Sequence, residues 1–325
     1  MVKTISKENA IVAYKAFDTN FKCRDFQYAP GMSYHIDGEV RLCKNGFHAC
    51  QDLMNTFDYY MMHNSRYAIV KLWGYVSFGI DKICASDIEI VKELSLKDVV
   101  EHYAASKVDF LENKDYSYMM LNEHEKELLN NGKKNNINSS YDRKKIISSG
   151  VFNTIVSTGV SNTIFDLGYN SIINCHAENT RLVEIGCGAK ITLTDSSTAI
   201  LYGDYNTITL LDKGGIVISN GKYCTINIIS NITDNFAHCV TNGEYNIINA
   251  TGSNVIESNG INDELRLSSN YIIFKAKYGS SVTCLGKEKM IVGESELKAD
   301  TWYTHNFGTI EYNYIFNQRE KNKSK

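Results

Sequence analysis

The chain has 325 residues, which exceeds one ordinary domain and predicts two or three structural units. Its net charge is −3, so no large basic field points to nucleic acid as a partner. No apolar run approaches the length of a membrane span, and the first ten residues lack the apolar core of a signal peptide. We therefore expect a cytoplasmic protein with no membrane partner.

The first 110 residues mix strand patterns with helical ones. Apolar spacing predicts a helix over residues 51–62, and Ser95 with Asp98 forms a capping box for a second helix. Runs of β-branched and aromatic residues predict strands at residues 11–17, 67–78 and 83–91. These elements predict a compact α+β head domain at residues 1–110.

Residues 111–145 combine a helical pattern with a polar segment. The helical pattern covers Asp115 to Asn130 and ends at Gly132, a residue that favours helix termination. Residues 133–143 are rich in Lys, Asn and Ser, which is typical of a linker. We predict that this helix and polar linker join the head domain to the next unit of the chain.

Residues 146–262 repeat a nine-residue unit built around glycine and the motif Gly-x-x-Asn-Thr-Ile. Two units make a coil of about 18 residues, which predicts a β-solenoid. In such a coil isoleucine points inward and glycine allows the turn a positive φ. Asparagine tolerates the left-handed region or stacks its amide from coil to coil. The glycines that share one frame are Gly150, Gly159, Gly168 and Gly186.

This repeat also predicts which side chains lie inside the coils. Ile155, Ile164 and Ile208 are expected to point inward, whereas Asp166 and Glu178 are expected to face solvent. Some strand patterns, such as those of residues 208–211 and 226–229, are more apolar than strict alternation requires. Surplus apolar surface predicts a homo-oligomer formed along residues 150–260.

Beyond residue 262 the nine-residue period is lost. Strand patterns predict a small C-terminal β-hairpin cap at residues 263–317, which closes the open ladder edge of the last coil. Residues 318–325 are polar and basic, and we predict a disordered tail there. The predicted fold class is an α+β head domain followed by an all-β solenoid of nine-residue repeats and a small β C-terminal cap.

Basic and aromatic side chains of the head domain form the candidate ligand site. Arginine beside aromatic residues suits a phosphate or nucleotide, although the same residues equally suit a role in tying the loop at residues 20–35 to the sheet. His48 serves ligand contact or acid–base chemistry, or is a structural histidine held by hydrogen bonds. The candidate ligand-binding residues are Tyr14, Arg24, Gln27, Tyr28, His48, Arg66 and Tyr67.

The nine cysteines, an odd number without tight paired spacing, fit reduced, buried thiols better than disulfides. Cys23, Cys43, His48 and Cys50 offer three sulfurs and one nitrogen to zinc, but their spacing is not that of a zinc knuckle. Calcium-binding nonapeptides carry Asp where this repeat mostly carries Asn. We therefore expect no metal ion.

Two stretches resemble a family found in phage and prophage proteins. Phe21-Lys22-Cys23-Arg24-Asp25-Phe26-Gln27-Tyr28, followed by Gly46-Phe47-His48-Ala49-Cys50, resembles the core of a domain of unknown function that short Gly-containing repeats often follow. Leu297-Lys298-Ala299-Asp300-Thr301-Trp302-Tyr303 resembles a closing motif of the same family. The resemblance implies a phage or prophage accessory protein of the host cytoplasm. Its head domain would bind a small molecule or a host protein.

The order of elements in the head domain also resembles the front half of an ADP-ribosyltransferase fold. This second resemblance implies NAD as the cofactor. It places Tyr14 and Lys15 on the first strand, His48 on the second and Glu89 on a later strand as site residues, with Lys15, His48 and Glu89 as the catalytic candidates. None of the three family motifs is intact. The first hypothesis is therefore a non-enzymatic binding protein without a cofactor, and the NAD-using enzyme is the alternative.

Overall fold

The computed structural model describes residues 2–108, 114–211, 214–230, 236–285, 287–306 and 308–323. The chain divides into two compact units, Met1–Lys107 and Val108–Lys325. The first is an α+β head and the second is a β-solenoid of about nine turns with a small C-terminal helix, which confirms the predicted fold class. No helix in the described ranges is long and apolar enough to cross a membrane.

A six-stranded antiparallel sheet forms the head domain. Its long central strands pair from Tyr67 opposite Leu94 to Phe78 opposite Ile83, as the predicted strands require. The strands are β1 (Val2–Ile5), β2 (Ile11–Phe17), β5 (Ser33–His35), β6 (Phe47–Ala49), β7 (Arg66–Phe78) and β8 (Ile83–Leu94), and a separate hairpin holds β3 (Lys22–Cys23) and β4 (Phe26–Gln27). Strands β1 and β2 pair with β7, whereas β5 and β6 pair with β8.

One α-helix, α1 (Leu96–Val108), follows β8, and the predicted pair of Ser95 and Asp98 caps its start. The Asp98 N–H donates to Ser95 Oγ over 3.1 Å, and that hydroxyl donates to the Asp98 carboxylate over 2.8 Å. The helix predicted over residues 51–62 is a shorter 3₁₀-helix, because Asp52 caps it at Met54 and six residues close 3₁₀ turns more readily than a stable α-helix. The 3₁₀-helices are Lys7–Asn9, Leu53–Asp58 and Met62–Asn64.

Two parallel sheets form the walls of the solenoid, and each coil contributes one strand to each sheet. Equivalent residues of successive coils pair, as Ile137 with Ile155 and Ile155 with Ile173. One sheet contains β9 (Tyr118–Leu121), β11 (Asn136–Ser139), β13 (Thr154–Ser157), β15 (Ile172–Cys175), β17 (Lys190–Thr194), β19 (Thr207–Leu211), β21 (Thr225–Ile229), β23 (Ile247–Thr251), β25 (Glu264–Leu267), β27 (Ser281–Cys284) and the antiparallel β28 (Met290–Ile291). The other contains β10 (Glu127–Asn130), β12 (Lys145–Ser148), β14 (Thr163–Asp166), β16 (Arg181–Glu184), β18 (Thr198–Leu201), β20 (Ile216–Ser219), β22 (Ala237–Thr241), β24 (Asn254–Ser258), β26 (Ile272–Ala276) and the antiparallel β29 (Tyr303–Asn306) and β30 (Thr309–Tyr312).

The isoleucines of the repeat fill the interior of the coils. Ile155, Ile164 and Ile208 are fully buried in one continuous core, which confirms their inward register. Glu178 is exposed, as predicted. The prediction for Asp166 was wrong, because its side chain is fully buried. Alternation along a strand places residue 166 on the same side as residue 164, so the register that buries Ile164 also buries the carboxyl group.

The repeated glycines allow close approach between coils rather than a positive φ. The positive φ lies two residues later, at Phe152 (58°) and Gly188 (75°). A Cβ added to Gly150 would overlap the carbonyl oxygen of Gly132, and one added to Gly186 would overlap that of Gly168. The same overlap recurs up the column, so a backbone carbonyl occupies the space of a side chain in coil after coil. The column contains Gly132, Gly150, Gly168, Gly186, Gly203, Gly221, Gly243 and Gly260.

The asparagine that follows each turn links its coil to the preceding one. Asn153 Oδ1 accepts the backbone N–H of Asn135 over 2.9 Å, and Asn135 Oδ1 accepts that of Ser117 over 2.7 Å. Asn206 Oδ1 accepts the N–H of Ala189 over 2.7 Å. These side chains are buried, so each bond satisfies a backbone donor that water cannot reach. Asparagine was predicted to link coil to coil, and in this column each side chain does so by accepting a backbone N–H of the preceding coil.

The solenoid is longer than predicted at its amino-terminal end. Residues 115–130 contain strands β9 and β10 rather than a helix, and the expected linker contains β11. Leu128 pairs with Ile146 in the parallel ladder, and this pairing outweighs the helical preference of the segment 123–129. At the other end, strands β25 and β27 continue the coils beyond residue 262 before the antiparallel cap begins.

A helix, α2 (Tyr314–Lys323), occupies most of the tail that was predicted to be disordered. Asn313 caps it, since its Oδ1 accepts the N–H of Phe316 over 3.0 Å. The Phe316 ring packs against Trp302 with centroids 5.1 Å apart, and Glu320 forms an ion pair with Lys275 at 3.3 Å. These contacts hold the helix against the cap, and the polar composition of the segment gave no sign of them. Residues 324 and 325 of the predicted tail lie outside the described residues.

Candidate ligand-binding site

The head domain contains a concave cavity of about 580 Å³. Its walls come from β2, the β3–β4 hairpin, β6 with the loop before it, the segment around the second 3₁₀-helix and the β7–β8 turn. Five of the predicted ligand-binding and catalytic residues line it together, namely Tyr14, Lys15, Arg24, Tyr28 and His48. The other predicted site residues, Gln27, Arg66, Tyr67 and Glu89, are not among its lining residues.

Three of the residues outside the cavity hold the head domain together. The Gln27 amide donates to backbone carbonyls of its own loop, including that of Tyr28 at 2.9 Å. Arg66 makes two hydrogen bonds of 2.6 and 2.7 Å to the Glu93 carboxylate. Tyr67 is buried, and its hydroxyl donates to a backbone carbonyl over 3.1 Å. Arg66 also lies over the ring of Phe21, 4.6 Å from its centroid, and this contact joins the loop at residues 20–35 to the sheet.

The cavity is rich in cationic and aromatic side chains. Within the described residues, the side chains of Arg24 and Lys44 make no hydrogen bond or ion pair, and both are exposed at the lining. Asp25 is the acidic residue among those that line the cavity. The basic members are Lys15, Arg24, Lys44 and Lys82. The aromatic members are Tyr14, Phe26, Tyr28, Phe47, Tyr59 and Tyr60.

Lys15 is the buried cationic residue of this lining and is only 4% exposed. Its Nζ donates to the backbone carbonyl of His48 over 2.8 Å and lies 5.2 Å from the ring centroid of Tyr28 and 5.4 Å from that of Phe17. No carboxylate of the described residues forms an ion pair with it. Burial therefore lowers the pKa of Lys15, because the charged form loses its hydration without gaining an anion.

His48 is half-buried and held by its own loop. Its Nε2 accepts the backbone N–H of Cys43 over 2.9 Å, which assigns the ring proton to Nδ1, 3.8 Å from Cys84 Sγ. Burial lowers the pKa of His48, because the charged imidazolium loses its hydration. The imidazole is thus neutral near pH 7. It positions the loop before β6 and presents its ring to the cavity.

Strained backbone borders the cavity. Arg24 and Cys43 adopt left-handed φ values of 55° and 64°, and Phe21, at the start of the same loop as Arg24, adopts 61°. This region is costly for residues with a Cβ, and such strain concentrates at binding and catalytic sites. Here the strain turns the Arg24 and Cys43 segments toward the same space.

A known domain family covers this part of the chain. Residues 11–102 match the family model described as domain of unknown function DUF7666. The head therefore contains a DUF7666 domain. The matched span includes every residue of the cavity lining, from Tyr14 to Lys82. No curated protein and no solved structure matches the chain.

The cysteines of the DUF7666 domain are free thiols. Cys23, Cys43 and Cys50 line the cavity together with His48, the set considered for zinc. Among the described residues, however, no three His, Cys, Asp or Glu side chains are grouped closely enough to hold a metal ion. Burial raises the pKa of Cys50 to about 12, so this thiol stays protonated.

Several cavity residues escaped the sequence analysis. Lys82 lies in the turn between β7 and β8, where its Nζ donates to the Tyr59 hydroxyl over 3.0 Å and lies 4.4 Å from that ring centroid. Tyr60 and Lys44 line the cavity from two further segments. These residues are far apart in the chain and carry no common motif. Only the folding of the antiparallel sheet brings them to one place.

Proposed function

We propose that the DUF7666 domain binds a small ligand that carries an anionic group and a flat apolar part, and that the solenoid carries this domain as a spacer or assembly surface. The observation that supports this most directly is the lining of the cavity, which combines aromatic walls with cationic side chains. Arg24 and Lys44 face it without a hydrogen bond or ion pair to any described residue. A phosphate or carboxylate would supply the missing partner.

Ligand-induced stabilisation tests this proposal. We expect anionic aromatic compounds such as ADP or pyridoxine 5′-phosphate to raise the melting temperature of the full-length protein, because a ligand that binds only the folded state stabilises it. Replacing Arg24 with alanine should remove most of the shift. Replacing Lys71, an exposed residue of β7 outside the cavity, should leave it unchanged. An equal loss in both variants, or no shift with any anion, would contradict the proposal.

The alternative function is an ADP-ribosyltransferase-like enzyme that uses NAD. Lys15 and His48 line the cavity and favour it, whereas Glu89 lies on β8 outside the lining. Incubation with NAD and a cell lysate distinguishes the two functions. Release of nicotinamide or modified target proteins would support the enzyme. Stabilisation by NAD without turnover would support the binding protein, and capture of a single host protein would replace the small ligand by a macromolecular one.

Phage or prophage origin is a further part of this proposal. A DUF7666 domain followed by a Gly-containing repeat agrees with the layout that the resemblance implies, as does the segment 297–303 near the carboxyl end. Residence in the host cytoplasm and the role of accessory protein follow from the same resemblance. All three stay predictions, and the host target, if there is one, would be found by its co-purification with the full-length chain.

We also propose that the protein forms homo-oligomers along its solenoid. Tyr205, Tyr223 and Tyr245 stack on successive coils at centroid spacings of 5.2 Å, and all three are exposed. Light scattering should therefore show a dimer or trimer at micromolar concentration. Replacing Tyr223 with arginine should shift it toward monomer, whereas replacing Tyr278, which is exposed but outside the stack, should not. A monomeric wild-type chain would refute this prediction.

A further inference from the structure

Lys15 has surroundings that differ from those of the other cationic residues in the cavity. Arg24 and Lys44 are exposed, whereas Lys15 is 4% exposed on the central part of β2. Its Nζ donates to the His48 carbonyl over 2.8 Å, and the Cys23 side chain lies nearby. Aromatic rings and thiols surround the amino group, and no carboxylate of the described residues forms an ion pair with it. An ammonium group at this position therefore has the faces of two rings and a carbonyl beside it, but no anion to offset its lost hydration.

The titratable groups that face Lys15 do not restore that stabilisation. They are the thiols of Cys23, Cys50 and Cys84, the phenol of Tyr28 and the imidazole of His48. Burial raises the pKa of Cys50 to about 12 and that of Cys84 to about 11, so both thiols are neutral near pH 7. The imidazole is also neutral. Burial without a counter-ion lowers the pKa of Lys15, so a larger share of its amine is neutral and keeps a lone pair than in an exposed lysine.

We propose that Lys15 is a nucleophilic amine that forms an imine with a carbonyl group of the ligand bound in the cavity. The inference rests on the proposed ligand-binding function and adds the ligand class, an aldehyde or ketone that also bears an anionic group. The geometry supports it, because buried Lys15 and the exposed residues Arg24 and Lys44 line one cavity of about 580 Å³. A ligand whose anionic group is bound by Arg24 and Lys44 could then direct its carbonyl group toward Lys15.

The reaction needs no oxidant or reductant. The Nζ lone pair attacks the carbonyl carbon, and the carbonyl π electrons move to oxygen. The two amine protons pass to that oxygen, one forming the hydroxyl group and the second allowing it to leave as water, while the nitrogen lone pair forms the C=N bond. Since the reaction releases one water molecule, it is reversible by hydrolysis. The buried site favours the imine by limiting the access of water.

Trapping with pyridoxal 5′-phosphate and sodium borohydride tests this proposal on the full-length protein. The probe combines an aldehyde, an aromatic ring and a phosphate, and borohydride converts an imine into a stable amine for peptide mapping. At pH 7 we expect Lys15 to be labelled at least about tenfold faster than exposed Lys71, since each unit by which the pKa falls gives about tenfold more neutral amine. An imine absorption band should appear in wild type and in Lys71→Met, and be absent in Lys15→Met.

Pyridoxine 5′-phosphate, which has an alcohol in place of the aldehyde, separates the two proposals. It should stabilise the protein and protect Lys15 from labelling in wild type, a measurement that does not depend on the folding of any variant. Stabilisation by this compound without labelling of Lys15 by the aldehyde would overturn the nucleophile and leave the binding function standing. Labelling of Lys15 no faster than Lys71 would also overturn it. Absence of both stabilisation and labelling would overturn both proposals.

Discussion

Replacing Glu184 with glutamine is expected to raise the melting temperature at pH 7.5 by more than it does at pH 5. Glu184 on β16 is the parallel partner of Asp166 on β14, and both side chains are fully buried inside the coils. Both carboxylate oxygens of Glu184 and Oδ2 of Asp166 have no hydrogen-bond donor among the described residues. Two ionised carboxylates in this position would repel each other and lose their hydration.

Burial raises the pKa of Asp166, and burial together with the charge of Asp166 raises the pKa of Glu184 well above its usual value. The folded protein therefore binds a proton that the unfolded chain releases at about pH 4. Stability from this pair is fully present below that pH and is lost as pH rises through the raised folded pKa. Other groups act differently, since Glu264 has a lowered pKa and loses its contribution in acid. Measurements between pH 5 and pH 8 separate the two effects.

Glutamine keeps the shape of Glu184, carries no charge and offers a donor to the Asp166 carboxylate. The variant should gain about 1–3 kcal/mol over wild type at pH 7.5, as a pKa difference of one unit is worth about 1.4 kcal/mol. Glu178→Gln, at an exposed position, serves as the control. If the melting temperatures of wild type and variant differ by the same amount at every pH from 5 to 8, the folded pair does not hold the extra proton. Stabilisation of wild type by Ca²⁺, reversed by EDTA, would show that a cation neutralises the pair instead.

The repeat could be predicted from the sequence because its main determinants are local. Glycine, asparagine and isoleucine recur at fixed offsets, and each has the same structural role in every coil. The first coils were not predicted, because the local helix preference of their residues disagrees with the strand pairing that they form. Residues 123–129 are strong helix formers, yet Gly132 and the Asn135-Asn136-Ile137 copy already continue the frame toward them. Parallel pairing with the next coil determines the structure of that segment.

The cavity could be predicted only in part. Tyr14, Arg24 and His48 stand out by residue type and meet at one place, although what they bind stays a prediction. Lys82 and Tyr59 could not be found, since their role depends on sheet pairing between distant segments. Asp166 shows the opposite error. Its charge suggested solvent exposure, but the strand period that buries Ile164 required an inward side chain.

Replacing Gly186 with alanine should destabilise the solenoid more than any exposed substitution. A Cβ at this position would overlap the carbonyl oxygen and carbon of Gly168 in the preceding coil and approach Glu184 Oε1 to 3.0 Å. Neighbouring strands lie about 4.8 Å apart and their hydrogen bonds fix that spacing, so the coils cannot separate locally without breaking the ladder. Overpacking of a rigid interior typically costs about 1–3 kcal/mol, and lost ladder bonds add to it.

Alanine already occupies one frame position, Ala177, on the half-coil opposite the glycine column. The reverse change, Ala177→Gly, is therefore the matched control and should cost less than about 1 kcal/mol, mainly through backbone entropy. Thermal and urea unfolding followed by the circular dichroism of β-sheet would compare the two variants. If Gly186→Ala and Ala177→Gly had the same melting temperature, the coils would be able to separate enough to admit a methyl group. The glycine column would then reflect turn conformation rather than contact between backbones.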